Sequence, residues 1–209
     1  KLIRNYIYKG PVLEWYLRIK LKFEQNYLPF DAIIPRECTI TDLGCGYGFL
    51  SYMLSFISSR RKIIGVDYDE NKIDVANNCF SKSDKTTFVC ADVTNFLIQP
   101  SDVFILSDVL HYLPKEAQKN LVHSCLDNLN SNGKVIIREG DRSLSKRHKG
   151  TKLTELFSTR ILKFNKTSND LFFLSAKEIF DLASERNMHV GMVDKNKFTS
   201  NVMYILSPL

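Results

Sequence analysis

Short apolar runs alternate along this chain with longer stretches of helical period, which predicts a parallel sheet wound with crossover helices. Pro11–Gln25 reads as a helix with Pro11 in its first turn, where Val12, Leu13, Tyr16 and Leu17 make an apolar face and Lys20 a basic one. Thr39–Leu43 is an apolar run that meets glycines, so a buried strand is predicted there, followed by a helix over Phe49–Ser58. Further strands are predicted at Lys62–Val66, Thr86–Cys90, Val103–Leu106 and Lys134–Arg138. Helices are expected over Asn71–Cys79, from Pro114 to about Leu129 with a stop at an Asn132-Gly133 turn, and over Lys152–Arg160. Ser175 followed three residues on by Glu178 is a capping-box signature for a helix over Ala176–Arg186. Val190–Val193 and Val202–Leu206, joined by a polar turn, close the chain as an antiparallel pair. The expected architecture is a doubly wound α/β fold: a seven-stranded sheet, mainly parallel with a C-terminal antiparallel hairpin, plus an N-terminal helical segment.

Composition narrows the class. The chain has 209 residues, 44% hydrophobic and 25% charged, ordinary for a globular protein with a sizeable core. No apolar run approaches the ~18–20 residues that cross a bilayer. The chain opens on Lys1, and nothing near it has the apolar core of a signal peptide. Five cysteines, at 38, 45, 79, 90 and 125, include no CxxC pair, which argues against a zinc or redox centre and for a reducing, cytoplasmic compartment. The net charge of +6 is concentrated. Residues 1–22 hold Lys1, Arg4, Lys9, Arg18, Lys20 and Lys22 against Glu14, and residues 142–166 hold eight bases against Glu155. These are either solvated faces or sites for an anionic partner such as a lipid surface, a phosphorylated substrate or nucleic acid.

The most informative stretch is Thr41-Asp42-Leu43-Gly44-Cys45-Gly46-Tyr47-Gly48-Phe49. A dinucleotide fingerprint needs a third glycine at residue 49, which is Phe49; here the third glycine is Gly48. D-x-G-x-G-x-G disfavours a pyrophosphate at the helix N-terminus, and hence a nicotinamide dehydrogenase, and suits a ligand with an aminoacyl tail. A Walker loop is excluded because no Gly-Lys-Ser/Thr follows. Asp67 ends the second strand 23 positions after Gly44, where a ribose diol would be held. Asp92 ends the third, where it could accept from an adenine amino group.

With TDLGCGYG, IIGVDYD, CADV, DVFILSDVLHYLP and NGKVIIREGD in this order, the chain resembles the class I S-adenosylmethionine-dependent methyltransferases over roughly residues 37–141. The resemblance implies a Rossmann-like fold with a methyltransferase domain over 37–209, a helical lid or linker over 1–36 and a basic substrate-side insertion over 142–175. It implies S-adenosyl-L-methionine as cofactor. Asp42 would order the loop and the methionine amino group. Gly44, Cys45, Gly46 and Gly48 would line the methionyl moiety. Asp67 would meet the ribose, Asp92 the adenine, Tyr68 and Val93 would wall the adenine, and Ser107 would meet the cofactor from the fourth strand. The ends look similar to methyltransferase domains carried by bacterial membrane proteins with a lysophospholipid acyltransferase domain, through KGPVLEWYLRIKLKFE, SYMLSF and RHKGTKLTE. That narrower likeness implies upstream membrane and acyltransferase domains, a place at the inner membrane face, and a small-molecule or lipid-linked acceptor.

His111 follows the fourth strand, where open α/β sheets place ligands, and its titration range suits a general base for a hydroxyl acceptor or, alternatively, a packing role. Tyr112 is a pocket wall or core. Trp15 and Tyr16 could form a lid over substrate or simply bury their helix. Arg142 and His148, with Lys149, could bind an anionic substrate group. Ser107-Asp108-Val109-Leu110 stands where an Asn-Pro-Pro-Tyr-like tetrad would serve amino-methylation of DNA bases or glutamine, and no Pro-Cys pair serves cytosine C5 chemistry. No CxxxCxxC run supports a radical variant, and no metal site is expected. A cofactor-binding but catalytically idle interaction module is the alternative reading; tRNA methylation stays open without an RNA-binding module.

Overall fold

The computed structural model describes residues 1–23, 27–140, 171–194 and 201–209. The expected helix over Lys152–Arg160, the basic stretch 142–166 with Arg142 and His148, and the polar turn before the last strand lie outside the described residues. Seven strands are described: β1 (Thr39–Leu43), β2 (Lys62–Asp67), β3 (Thr86–Cys90), β4 (Ser101–Ser107), β5 (Leu129–Gly140), β6 (Met188–Val193) and β7 (Asn201–Pro208). They form one sheet in the order β3-β2-β1-β4-β5-β7-β6. β1–β2, β2–β3 and β4–β5 pair in parallel, and β7 runs antiparallel to both β5 and β6. The mainly parallel sheet with a C-terminal antiparallel pair is the architecture expected. The chain divides into two compact units, Lys1–Phe96 and Leu97–Leu209.

In the first unit, a 3₁₀ helix (Ile3–Lys9) leads into α1 (Pro11–Phe23) and α2 (Leu28–Ile33), with α3 (Phe49–Ile57) and α4 (Glu70–Asn77) following β1 and β2. Neither the 3₁₀ helix nor α2 is legible in the sequence pattern, because each is too short to show a period. The N-terminal segment belongs to the core: Tyr6, Leu13 and Leu17 pack with Phe49, Tyr52, Ile73 and Phe88. Tyr6 meets Phe49 edge-on at 4.7 Å, and its hydroxyl donates to the Tyr47 carbonyl at 2.9 Å, so this core is tied to the glycine loop. Arg61 is fully buried, its guanidinium satisfied by the carbonyls of Ile34, Pro35 and Leu54 and by Asp31. That set pins the end of α2 to the end of α3.

The second unit carries a 3₁₀ turn (Leu110–Tyr112), α5 (Lys115–Asp127) and α6 (Ala176–Ser184). The predicted capping box forms: the Ser175 side chain accepts from the Glu178 N–H, and the Glu178 carboxylate accepts from the Ser175 N–H at 2.8 Å. One expectation is corrected. Asn132-Gly133 is not a turn before a short strand but lies inside β5, where the register against β4 shifts between Ser101 and Val103. Asn132 takes a left-handed φ of +62°, and a Cβ at Gly133 would stand 2.9 Å from the Asn130 and Asp102 carbonyl oxygens. Turn-forming residues here build a bulge within a pairing that continues past them.

Candidate functional site

The glycine loop joins β1 to α3, its backbone hooked onto β2. The Gly44 and Cys45 N–H groups both donate to the Val66 carbonyl, at 2.8 and 3.0 Å. Gly44, Gly46 and Gly48 all have positive φ, +81°, +54° and +73°, a region that strains side-chain-bearing residues. Their surroundings differ. A Cβ on Gly48 would stand 2.6 Å from the Phe88 ring, so this glycine is required by packing. Around Gly46 the nearest atom to such a Cβ is Lys72 Cδ at 4.0 Å, an ordinary contact, so this glycine answers to its left-handed φ and not to crowding. The Cys45 thiol lies 2.9 Å from where a Gly65 Cβ would stand, and burial pushes its titration well up, as befits a packed and unreactive thiol.

Asp67, at the end of β2, braces this loop. One carboxylate oxygen accepts the Gly46 N–H at 2.8 Å and the other the Asp69 N–H at 3.0 Å, while Asp69 caps α4 through the Asn71 N–H. Each carboxylate oxygen keeps a further lone pair for a ligand hydroxyl. Beside it, Tyr68 is 49% exposed. Asp92 is exposed and accepts locally from the Thr94 N–H and hydroxyl at 2.9 and 2.8 Å; Val93 next to it is buried. Lys72 is buried, with its ammonium 5.9 Å from the Tyr47 ring centroid. Burial lowers its pKa, against the attraction of Asp67 and Asp69. Tyr16 reaches Phe49 at 6.2 Å and so borders the loop, whereas Trp15 is half exposed on the outer face of α1.

Asp42 is 2% exposed and accepts from the Ser51 hydroxyl at 2.6 Å. Burial, with the Asp67 charge adding to it, pushes its carboxyl from 3.8 up to about 6, partly opposed by the Ser51 bond. A carboxyl that binds its proton more tightly when folded favours the fold at low pH, and that advantage is lost as pH rises from about 4 through about 6. A displacement of this size corresponds to about 3 kcal/mol. Urea unfolding of the wild type and Asp42→Asn is therefore expected to show the variant gaining relative stability as pH is raised across that window. A pH-independent difference would show that Asp42 is not titrating there.

In the second unit, His111 sits in the 3₁₀ turn after β4, 2% exposed. Its Nδ1 lies 2.6 Å from Glu139 Oε2, and the other Glu139 oxygen accepts the Val109 and Leu110 N–H groups at 2.8 and 2.7 Å. Glu139, in β5 and also buried, thus holds both the turn and the imidazole. Phe173 stacks on the imidazole at 4.9 Å and Tyr112 lies at 4.1 Å, so Tyr112 belongs to the wall around it. Ser107 is half-buried at the end of β4, its hydroxyl 3.4 Å from Asp108. Asp108 has a left-handed φ of +56° and is held there by an ion pair with the buried Arg138 and by the Asn201 amide at 3.4 Å. Sequence pattern alone assigns no role to Glu139 or Arg138. The sequence signal for Glu139 is an acidic residue near the end of a buried strand, as Asp67 is. Among the described residues no cluster of three or more His, Cys, Asp or Glu could hold a metal ion.

Residues 40–133 match a family model described as a methyltransferase domain. Solved structures extend the likeness over nearly the whole chain. Magnesium protoporphyrin IX methyltransferase from Synechocystis PCC 6803, solved with bound S-adenosylmethionine, superposes with a TM-score of 0.66 at 16% identity, over 91% of this chain and 82% of that one. The fold is that of a methyltransferase. Human N-acetylserotonin methyltransferase shares this methyltransferase fold with a TM-score of 0.68 at 17% identity, over 94% of this chain and 55% of that one. The pyocyanin biosynthetic protein PhzM gives 0.67 at 17%, over 88% and 54%. The chain thus spans about half the length of the last two. No curated protein sequence matches it significantly. Among the described residues no helix is long and apolar enough to cross a membrane.

Proposed function

We propose that the chain binds S-adenosyl-L-methionine at the glycine loop and methylates a hydroxyl of a small-molecule or lipid-linked acceptor, with His111 as general base. The observation that carries this reading is the buried His111–Glu139 pair, 2.6 Å apart. A carboxylate on Nδ1 fixes the tautomer that leaves Nε2 as the acceptor and stabilises the imidazolium once Nε2 has taken a proton. Three features of the first unit support the cofactor reading: the uncrowded, left-handed Gly46, a strand-end carboxylate in Asp67, and the exposed Tyr68. When bound, S-adenosylmethionine supplies an electrophilic methyl group on a sulfonium.

The chain's residues do the rest. Gly44 and Gly46 let the methionyl moiety approach the main chain, and Asp42 attracts its ammonium. Asp67 accepts from the ribose hydroxyls, Tyr68 and Val93 wall the adenine, Asp92 accepts from its amino group, and Ser107 approaches the cofactor from β4. Tyr16 and Tyr112 offer aromatic surface to the acceptor, and Arg142 and His148 a charge complement if the acceptor is anionic. His111 holds at Nε2 the proton that the acceptor hydroxyl gives up as its oxygen takes the methyl. Neighbours named for N-acetylserotonin and magnesium protoporphyrin IX favour a small-molecule acceptor over a macromolecule.

Calorimetric titration with S-adenosylmethionine, S-adenosylhomocysteine and NADH tests the cofactor assignment. Saturable binding of the first two and none of NADH is expected. Silence from both sulfur ligands would overturn the assignment, and binding without transfer to any phenolic or lipid-linked hydroxyl would favour an idle, cofactor-binding interaction module.

A further inference from the structure

The N-terminal segment presents two faces of opposite character. Inward, Tyr6, Leu13 and Leu17 are buried in the core of the first unit, and the Lys20 charge acts on Asp42 and Lys72. Outward, Val12, Trp15 and Ile19 follow one another at helical spacing along α1, with Val12 63% and Trp15 49% exposed. The 3₁₀ helix that packs against α1 adds Ile7, 63% exposed, and Tyr8, whose hydroxyl is fixed on the Val75 carbonyl at 2.7 Å. The same stretch exposes Lys1, Arg4, Lys9 and Arg18, and its one acid, Glu14, pairs with Arg18 at 2.7 Å. Apolar side chains exposed together on one segment and rimmed by bases mark an interaction surface.

We propose that this outward face docks on the surface of an anionic lipid bilayer, with Ile7, Val12 and Trp15 entering the boundary between headgroups and acyl chains and the basic side chains meeting lipid phosphates. The proposal is independent of the methyl-transfer reading. Charge and apolarity together select this partner. Nucleic acid would satisfy the bases but leave Ile7 and Val12 without an apolar environment. A second copy of the chain would bring two basic rims together. An anionic membrane interface offers both complements at once, as it does for interfacial amphipathic helices rich in Lys, Arg and Trp.

Trp15 is the only tryptophan in the chain, so intrinsic fluorescence reads this face directly. Titrating the protein with phosphatidylglycerol-containing vesicles is expected to shift its emission to the blue, and added salt to weaken the effect. Pure phosphatidylcholine vesicles are expected to give little shift. Ile7→Asp/Val12→Asp, both at exposed positions, keeps the reporter and should weaken vesicle co-sedimentation at least tenfold with an unchanged thermal melt. No shift with anionic vesicles, or unchanged sedimentation of the double variant, would overturn the proposal. An equal shift with neutral vesicles would overturn the charge requirement, and a concentration-dependent shift without lipid would assign the face to self-association instead.

Discussion

His111→Ala is expected to lower methyl transfer by about 10²–10⁴-fold, the usual scale of a positioned general base, while leaving S-adenosylmethionine affinity nearly intact. The informative companion is Glu139→Gln. Glu139 accepts three hydrogen bonds: two backbone N–H groups on one oxygen and the imidazole Nδ1 on the other. A glutamine that keeps its oxygen on the Val109 and Leu110 N–H groups turns its NH₂ toward Nδ1. That donor forces the imidazole into the tautomer with its proton on Nε2, which can no longer receive one from the acceptor. Turnover should fall on a similar scale although imidazole, fold and cofactor site are all retained. The readout is kcat at saturating acceptor, with thermal melting as the control for folding. Normal turnover in His111→Ala would retire the base, and normal turnover in Glu139→Gln would retire the tautomer argument.

Asp67→Ala is expected to weaken S-adenosylmethionine binding by about 1.5–3 kcal/mol, the scale of a hydrogen bond to a charged group. Two effects contribute. The ribose loses its acceptor, and the Gly46 N–H loses the carboxylate that holds it at 2.8 Å. Calorimetry with adenosine and 2′,3′-dideoxyadenosine separates them. If Asp67 meets the ribose, the wild type prefers adenosine and the variant loses that preference. An equal loss for both nucleosides would reduce Asp67 to a loop brace, and unchanged affinity would remove it from the site altogether.

Fold and first unit are more legible than the His111–Glu139 pair because their signals are local. The strand ending in Asp67 and the capping box at Ser175 each show within a few residues, and the structure contains both. The bulge at Asn132-Gly133 and a turn use the same residue types, and what separates them is whether pairing with β4 continues beyond. The 3₁₀ turn that presents His111 has no periodic signature, and its anchor Glu139 lies 28 positions away in sequence.

By itself, then, the sequence determined the alternation of strands and helices, the departure of the glycine loop from a dinucleotide fingerprint, and the acids that end β2 and follow β3. Each is written in nearest-neighbour chemistry: period, backbone freedom, and charge at a strand end. Only the tertiary structure decided that Gly48 is a packing glycine under Phe88 while Gly46 is uncrowded, that Asp42 is deep enough to titrate near 6, and that Glu139 orients His111. It also decided that Trp15 faces outward while Tyr16 borders the loop. These depend on which distant elements close over a residue, because burial and through-space contact set a side chain's electrostatics and orientation, and neither is a property of its neighbours in the chain.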